Sequence, residues 1–251
     1  MTDKNDIEIS PKNYVESAVL SQTVGQDLLA RLDFMTTNPK RIAIVGCRSG
    51  DEIESLKKRY DAAVIYAFDT SIDMLDYAKN KFNQAVYVCA DGIHLPIKNQ
   101  SIDLLIAHFF LPWQSNLKIL FHEWRRVLTP NGLVLMSALG PDTLREASEN
   151  TPLKINLFDM HDLGNQLLAA GFSDVVADVD YIMMKYQNEI RLRKELYYSS
   201  IISDIDSSIP LPLSLTYEII YAHAFSKVDY AERDQDGNIK IPVASLRRQR
   251  E

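Results

Sequence analysis

Five short apolar runs between residues 41 and 137 constrain this chain more than anything else in it. Arg41-Ile42-Ala43-Ile44-Val45 is β-branched and almost continuously apolar, which predicts a strand buried on both faces. Residues 63–68, 86–90, 102–107 and 133–137 repeat the pattern. Amphipathic stretches at 51 to 60, 71–78 and 115–128 stand between them, and Pro130-Asn131-Gly132 reads as a turn before the fifth run. The alternation predicts an α/β fold with a mostly parallel twisted sheet, helices on both faces and right-handed crossovers. Upstream, the apolar spacing over 14–34 predicts a helix that ends before Asn38-Pro39. Beyond residue 140 the alternation weakens to a helix at 162–168 stopped by Gly171, a strand at 175–179 and a helical pattern over 185–205. Residues 1–12 read as a loose polar terminus and 13–251 as a single domain, with its core at 40–140 and covering helices in its C-terminal half.

With 251 residues, 46% of them hydrophobic, the chain can bury a sizeable core. Its formal charge of -7 argues against nucleic acid as the main partner, because phosphate binding needs an excess of Lys and Arg. The basic stretches at 191–194 and 247–250 are small exceptions, and the plain reading of each is a solvated face. Two cysteines, Cys47 and Cys89, cannot build a disulfide framework; in their apolar surroundings they are expected as reduced, buried thiols. No basic-then-apolar leader opens the sequence, and no run approaches the roughly 18 apolar residues of a membrane span, so a cytoplasmic protein is expected. The five histidines are scattered, none paired at metal-ligand spacing, so no metal is expected.

In an open parallel sheet, ligands sit outside the carboxyl ends of the strands where chain order reverses. Three such ends carry suitable groups. Gly46 and Gly50 permit a tight bend and close backbone approach to a ligand. Asp69, just past the second run, can accept from both hydroxyls of a ribose, although Thr70 and Ser71 after it also allow a plain helix cap. Asp91-Gly92, past the third run, can accept from an adenine amino group. The three in order suit an adenosine without demanding phosphates.

That order of turns resembles class I S-adenosylmethionine-dependent methyltransferases over residues 40–140, which implies a Rossmann-like fold. A narrower likeness runs through nearly the whole chain. It is carried by Ala18-Val19-Leu20-Ser21-Gln22, Leu111-Pro112-Trp113, Gly140-Pro141-Asp142-Thr143-Leu144-Arg145-Glu146, Asp159-Met160-His161-Asp162-Leu163-Gly164 and Leu215-Thr216-Tyr217-Glu218. These stretches resemble the malonyl-acyl carrier protein O-methyltransferases of biotin synthesis and their relative, the mitochondrial complex I assembly arginine hydroxylase. The resemblance implies S-adenosylmethionine as cofactor and transfer of its methyl group to the free carboxylate of a malonyl thioester, with acyl carrier protein as partner. It places Gly46, Cys47, Gly50, Asp69, Thr70, Met74, Asp91, Gly92 and His108 at the cofactor, and Tyr14, Phe110, Trp113 and Arg145 at the substrate, Arg145 as the cation for its carboxylate. The acidic carrier would find the basic stretch at 191–194.

Two letters depart from the family's usual turn, Asp-x-Gly-Cys-Gly-x-Gly: Ile44 replaces the acid and Arg48 the middle glycine. An arginine there either crowds the ligand or reaches the cofactor carboxylate. The departures leave open a diverged, non-catalytic assembly factor, and the shared Asp-Met-His-Asp-Leu-Gly type of stretch leaves open a protein arginine hydroxylase.

Overall fold

In the computed structural model, which describes residues 9–203 and 208–227, the apolar runs form the middle of one seven-stranded sheet. The strands are β1 (Arg41–Val45), β2 (Val64–Asp69), β3 (Val86–Cys89), β4 (Ile102–Ala107), β5 (Leu128–Leu139), β6 (Phe172–Lys185) and β7 (Ser214–Ser226), in the order β3-β2-β1-β4-β5-β7-β6. The first five pair in parallel; β7 enters antiparallel between β5 and β6, so the expected mostly parallel sheet forms with one reversed strand. Chain order reverses between β1 and β4, which puts the crevice at their carboxyl ends.

Alternation along each central strand explains the continuous apolar runs. Ile42, Ile44, Leu104, Ile106, Leu133 and Leu135 pack on one face with α2 (Val19–Ala30), α3 (Asp51–Arg59) and α7 (Glu189–Tyr198). Ala43, Val45, Leu105, Ala107, Val134 and Met136 pack on the other with α5 (Leu117–Val127) and α6 (Met160–Ala169). A strand buried on both faces has no wet side to encode.

Several boundaries differ from those predicted. The expected helix over 14–34 is two: α1 (Pro11–Ser17), capped by Ser10 and opened by Pro11, then α2 after a break at Ala18. α1 therefore begins inside the stretch expected to be loose. Pro130-Asn131-Gly132 lies within β5, where the β4 pairing shifts register and Asn131 turns left-handed. The strand expected at 175–179 runs the length of β6, and the helix expected over 185–205 shrinks to α7 because β6 pairing holds residues up to Lys185. Cys47 is buried as expected, but Cys89 is exposed, since β3 is the sheet's edge strand. The basic stretch at 247–250 lies outside the described residues.

Trp124 of α5 is fully buried and donates through Nε1 to the Gly92 carbonyl at 3.2 Å, linking the helix layer to the turn after β3. Trp124→Ala is expected to cost about 3–5 kcal/mol of unfolding free energy, read from urea denaturation. A loss under 1 kcal/mol would mean that the layer repacks without it.

Candidate active site

The glycine turn is shaped by two demands. Gly46 has φ 70°, and a Cβ there would lie 2.7 Å from the Phe110 ring. Gly50, also left-handed at φ 75°, starts α3 and packs against Ile53 and Ala78. Between them Arg48 holds φ 46° without being glycine, a conformation that costs an L residue roughly 1–2 kcal/mol. Its backbone N–H donates to Asp69 Oδ2 at 2.8 Å, while Asp69 Oδ1 accepts from Ser71 N–H at 3.0 Å. Ser71, not Asp69, caps α4 (Ile72–Lys81), its hydroxyl accepting from Met74 N–H. Each Asp69 oxygen keeps lone-pair capacity for a ligand.

A cavity of about 920 Å³ opens at the carboxyl ends of β1, β2 and β4. Among the residues expected at the site, Gly46, Asp69, Thr70 and Met74 line it, as do Tyr14, Phe110 and Trp113. A smaller one of about 260 Å³ lies behind the turn, sharing Tyr14, Gly46 and Arg48 and lined also by Cys47, His108 and Glu52. Gly50, Asp91, Gly92 and Arg145 line neither. The Asp91 carboxylate accepts from Ile93 N–H at 3.1 Å, and Gly92 is packed under Val45 and Phe110, where a Cβ would come within 2.4 and 2.5 Å of their side chains. Arg145, half exposed, pairs with Asp142 and Glu146 at 3.6 Å each and lies over the Tyr181 ring.

The sequence reading did not assign a place in the site to Lys154 or to the 197–200 segment after α7, both of which line the larger cavity. They come from distant segments with no motif of their own. Trp113 is pinned to that segment by its Nε1–H, which donates to the Ser200 carbonyl at 3.0 Å. The Arg48 guanidinium lies over the Trp113 ring at 5.0 Å and the Tyr14 ring at 5.7 Å, and donates to the Phe109 carbonyl and to the Tyr14 hydroxyl.

His108 sits behind this cation with both ring nitrogens committed. Nε2 lies 2.9 Å from the Ser21 carbonyl, which can only accept, so Nε2 carries the hydrogen. Nδ1 then accepts from the Ser137 hydroxyl at 2.7 Å, whose oxygen accepts from Phe109 N–H at 3.0 Å. Burial first, and the Arg48 charge second, hold the imidazole pKa down to about 3, so the ring is neutral. Burial likewise raises the Cys47 thiol, helped by Asp69 and Glu52, which makes it inert as a nucleophile at neutral pH. Glu52, partly buried against the smaller cavity, is pushed up to about 7, chiefly by desolvation.

The profile of the Methyltransferase domain family matches residues 44–136. A malonyl-[acyl-carrier protein] O-methyltransferase of Methylovorus sp. is 33% identical over 73% of this chain and 67% of its own. One from Laribacter hongkongensis is 31% identical over 78% of this chain and 73% of its own, and one from Coxiella burnetii 26% over 97% and 94%. The chain belongs to the malonyl-[acyl-carrier protein] O-methyltransferase family. The fold is shared with solved structures at low identity. The YcgJ protein of Bacillus subtilis has a TM-score of 0.62 at 12% identity, covering 81% of this chain and 99% of its own. A methyltransferase of Thermotoga maritima reaches 0.59 at 15%, covering 86% and 96%. This chain therefore has the Rossmann-like class I methyltransferase fold.

The family-like stretches of this methyltransferase fasten its fold. Glu146 accepts from the backbone and hydroxyl of Thr216, and Leu144 N–H donates to the Thr216 carbonyl at 2.7 Å. The Glu218 carboxylate accepts from Asp142 N–H at 2.7 Å and lies where a Cβ on Gly140 would clash at 2.3 Å. The 140–146 stretch is thus sewn to the start of β7, and Asp159 caps α6.

The raised Glu52 pKa makes a stability prediction. Between pH 4.5, its ordinary value, and about 7, the folded chain keeps a proton that the unfolded chain has lost. Stability contributed at this position therefore falls as pH rises through that window. Glu52→Gln should gain melting temperature over wild type at pH 8 but little at pH 5; an equal difference at both would exclude Glu52 as the group.

Proposed function

We propose that this protein methylates the free carboxylate of malonyl-acyl carrier protein, capping it as the methyl ester for biotin precursor synthesis. The reading is carried by the placement of Asp69, with spare acceptor capacity, on a cavity of about 920 Å³ at the switch point of a methyltransferase sheet. When bound there, S-adenosylmethionine supplies an electrophilic sulfonium methyl.

The residues present fit that cofactor. Asp69 accepts from the ribose hydroxyls, its carboxylate held still by two backbone N–H groups. Thr70, Met74 and Phe110 wall the adenosine, and Gly46 keeps the backbone clear beside it. Asp91 follows the cavity residue Ala90 in the chain and lines neither cavity itself; its second oxygen is the acceptor we assign to the adenine amino group. Cys47 and His108 line the smaller cavity behind the turn, while Gly50 packs at the start of α3 and Gly92 under Val45 and Phe110, all as packing and positioning groups. Tyr14 and Trp113 close the side left for the substrate.

A carboxylic acid with an ordinary pKa of about 4 is ionised at neutral pH, so the nucleophile needs no general base. Alignment and exclusion of water supply the rate. The inert Cys47 and neutral His108 agree with a site that moves no proton.

Labelled methyl should pass from S-adenosylmethionine to malonyl-acyl carrier protein, and no ester at saturating cofactor would overturn the assignment. Asp69→Ala should weaken cofactor binding by about 1–3 kcal/mol in calorimetry; unchanged affinity would remove Asp69 from the site. Carrier docking makes a separate prediction. Arg193 is spent on Glu189, but Arg191 and Lys194 are exposed on α7, whose end lines the cavity. Arg191→Glu with Lys194→Glu should raise KM for the carrier-bound substrate and leave KM for a malonyl thioester of pantetheine unchanged. Equal effects on both would place docking elsewhere.

A further inference from the structure

The geometry points to Arg48 as the carboxylate anchor of the site, a part given to no residue by the cofactor contacts proposed above. Arg48 stands at the boundary of the two cavities, since it lines both, as do Tyr14 and Gly46. Of the five N–H donors of a guanidinium, one on each terminal nitrogen is engaged, by the Tyr14 hydroxyl at 3.3 Å and the Phe109 carbonyl. Among the described residues no carboxylate forms an ion pair with it, although Arg31, Lys58, Arg59, Lys81, Arg126, Arg145 and Arg193 all have one.

The side chain is held rather than trailing. Three separate segments grip it: Tyr14 of α1, the Phe109 carbonyl after β4, and the face of Trp113. Tyr14 is buried and passes the restraint on, its hydroxyl lying 3.3 Å from that of Ser21 on α2. Behind Arg48, His108 is neutral, and Glu52, which lines the same smaller cavity and is pushed up to about 7 by burial, forms no ion pair with Arg48. A cation fixed, unpaired and facing a ligand-sized space is built for an anion. A planar fork suits a carboxylate best. The left-handed φ of 46° at a residue other than glycine is backbone strain of the kind that persists where a side chain is needed in place. Arg145, the other candidate cation, already has Asp142 and Glu146 and lines neither cavity.

Two carboxylates come to such a site under the proposed function, on which this inference rests: that of the cofactor's amino-acid end and that of the malonyl group. Arg48→Gly separates them, because glycine suits the left-handed turn and keeps it folded. Calorimetry with S-adenosylmethionine and with 5′-methylthioadenosine, which lacks the amino-acid end, reads the first source. The malonyl-thioester KM reads the second. Loss of about ten- to a hundredfold in S-adenosylmethionine affinity with unchanged 5′-methylthioadenosine binding assigns Arg48 to the cofactor carboxylate. A comparable rise in KM with both affinities unchanged assigns it to the substrate. Arg48→Lys should recover part of either loss. Unchanged affinities and unchanged KM in Arg48→Gly, with wild-type binding intact, would overturn the role of Arg48 alone. Failure of wild type to bind either nucleoside would overturn the cofactor reading and this inference with it.

Discussion

The whole site depends on the Asp69 carboxylate being held between two backbone N–H groups, of Arg48 and of Ser71. One bond ties the turn after β1 to the end of β2; the other fixes the entry to α4. Phe110 does the same for the other strand ends, its ring filling the space left by two absent side chains, at Gly46 and Gly92. Ends of β1, β2, β3 and β4 are thereby registered against one another by one carboxylate and one ring. Neither contact involves a ligand. The glycines are therefore needed by the protein's own packing before any cofactor is considered: a side chain at Gly46 would displace Phe110, and one at Gly92 both Val45 and Phe110.

This explains which parts of the molecule were legible in the sequence. Strands β1 to β5 could be read because burial on both faces writes itself as an apolar run, and the ligand end of the sheet followed from their order. β7 obeys the same physics, yet Thr216, Glu218 and His223 interrupt its apolar letters, and antiparallel insertion next to β5 has no local signature. Helix ends escape periodicity where tertiary pairing overrides it, as at Lys185, which pairs with Ser214 in the sheet. Asp69 could be placed on the cavity because turns after strands carry ligands, whereas Thr70, Met74 and Trp113 follow only from the family resemblance. The pairing of Arg145 with Asp142 and Glu146, outside both cavities, has no signature in the apolar pattern.

The stretches that resemble the family most specifically turn out to be the least chemical. Gly140, Thr143, Leu144 and Glu146 all serve the union with Thr216 and Glu218, fastening a reversed strand into a parallel sheet. Such a union demands particular letters: a bare backbone where the Glu218 carboxylate passes, and acceptors for buried N–H groups. The ligand cavity, by contrast, asks for apolar walls and a few acceptors, which many letters satisfy. Sequence likeness in this chain therefore reports the architecture more sharply than it reports the ligand.

Charge sets the remaining constraint. With a formal charge of -7, the chain repels an acidic carrier protein at long range. At physiological ionic strength that repulsion is screened beyond about 8 Å, so local charges decide the encounter. α7 presents Arg191 and Lys194 outward while Tyr197 to Ser200 at its end line the cavity, so the exposed cations sit one or two turns from the mouth. A partner guided by them would arrive with its thioester arm beside Trp113, which the Ser200 carbonyl already holds in place. The same tryptophan backs the Arg48 guanidinium. Under the proposed function, surface docking and anion binding would be joined through one aromatic ring, and a shift in the segment after α7 would be felt at the cation.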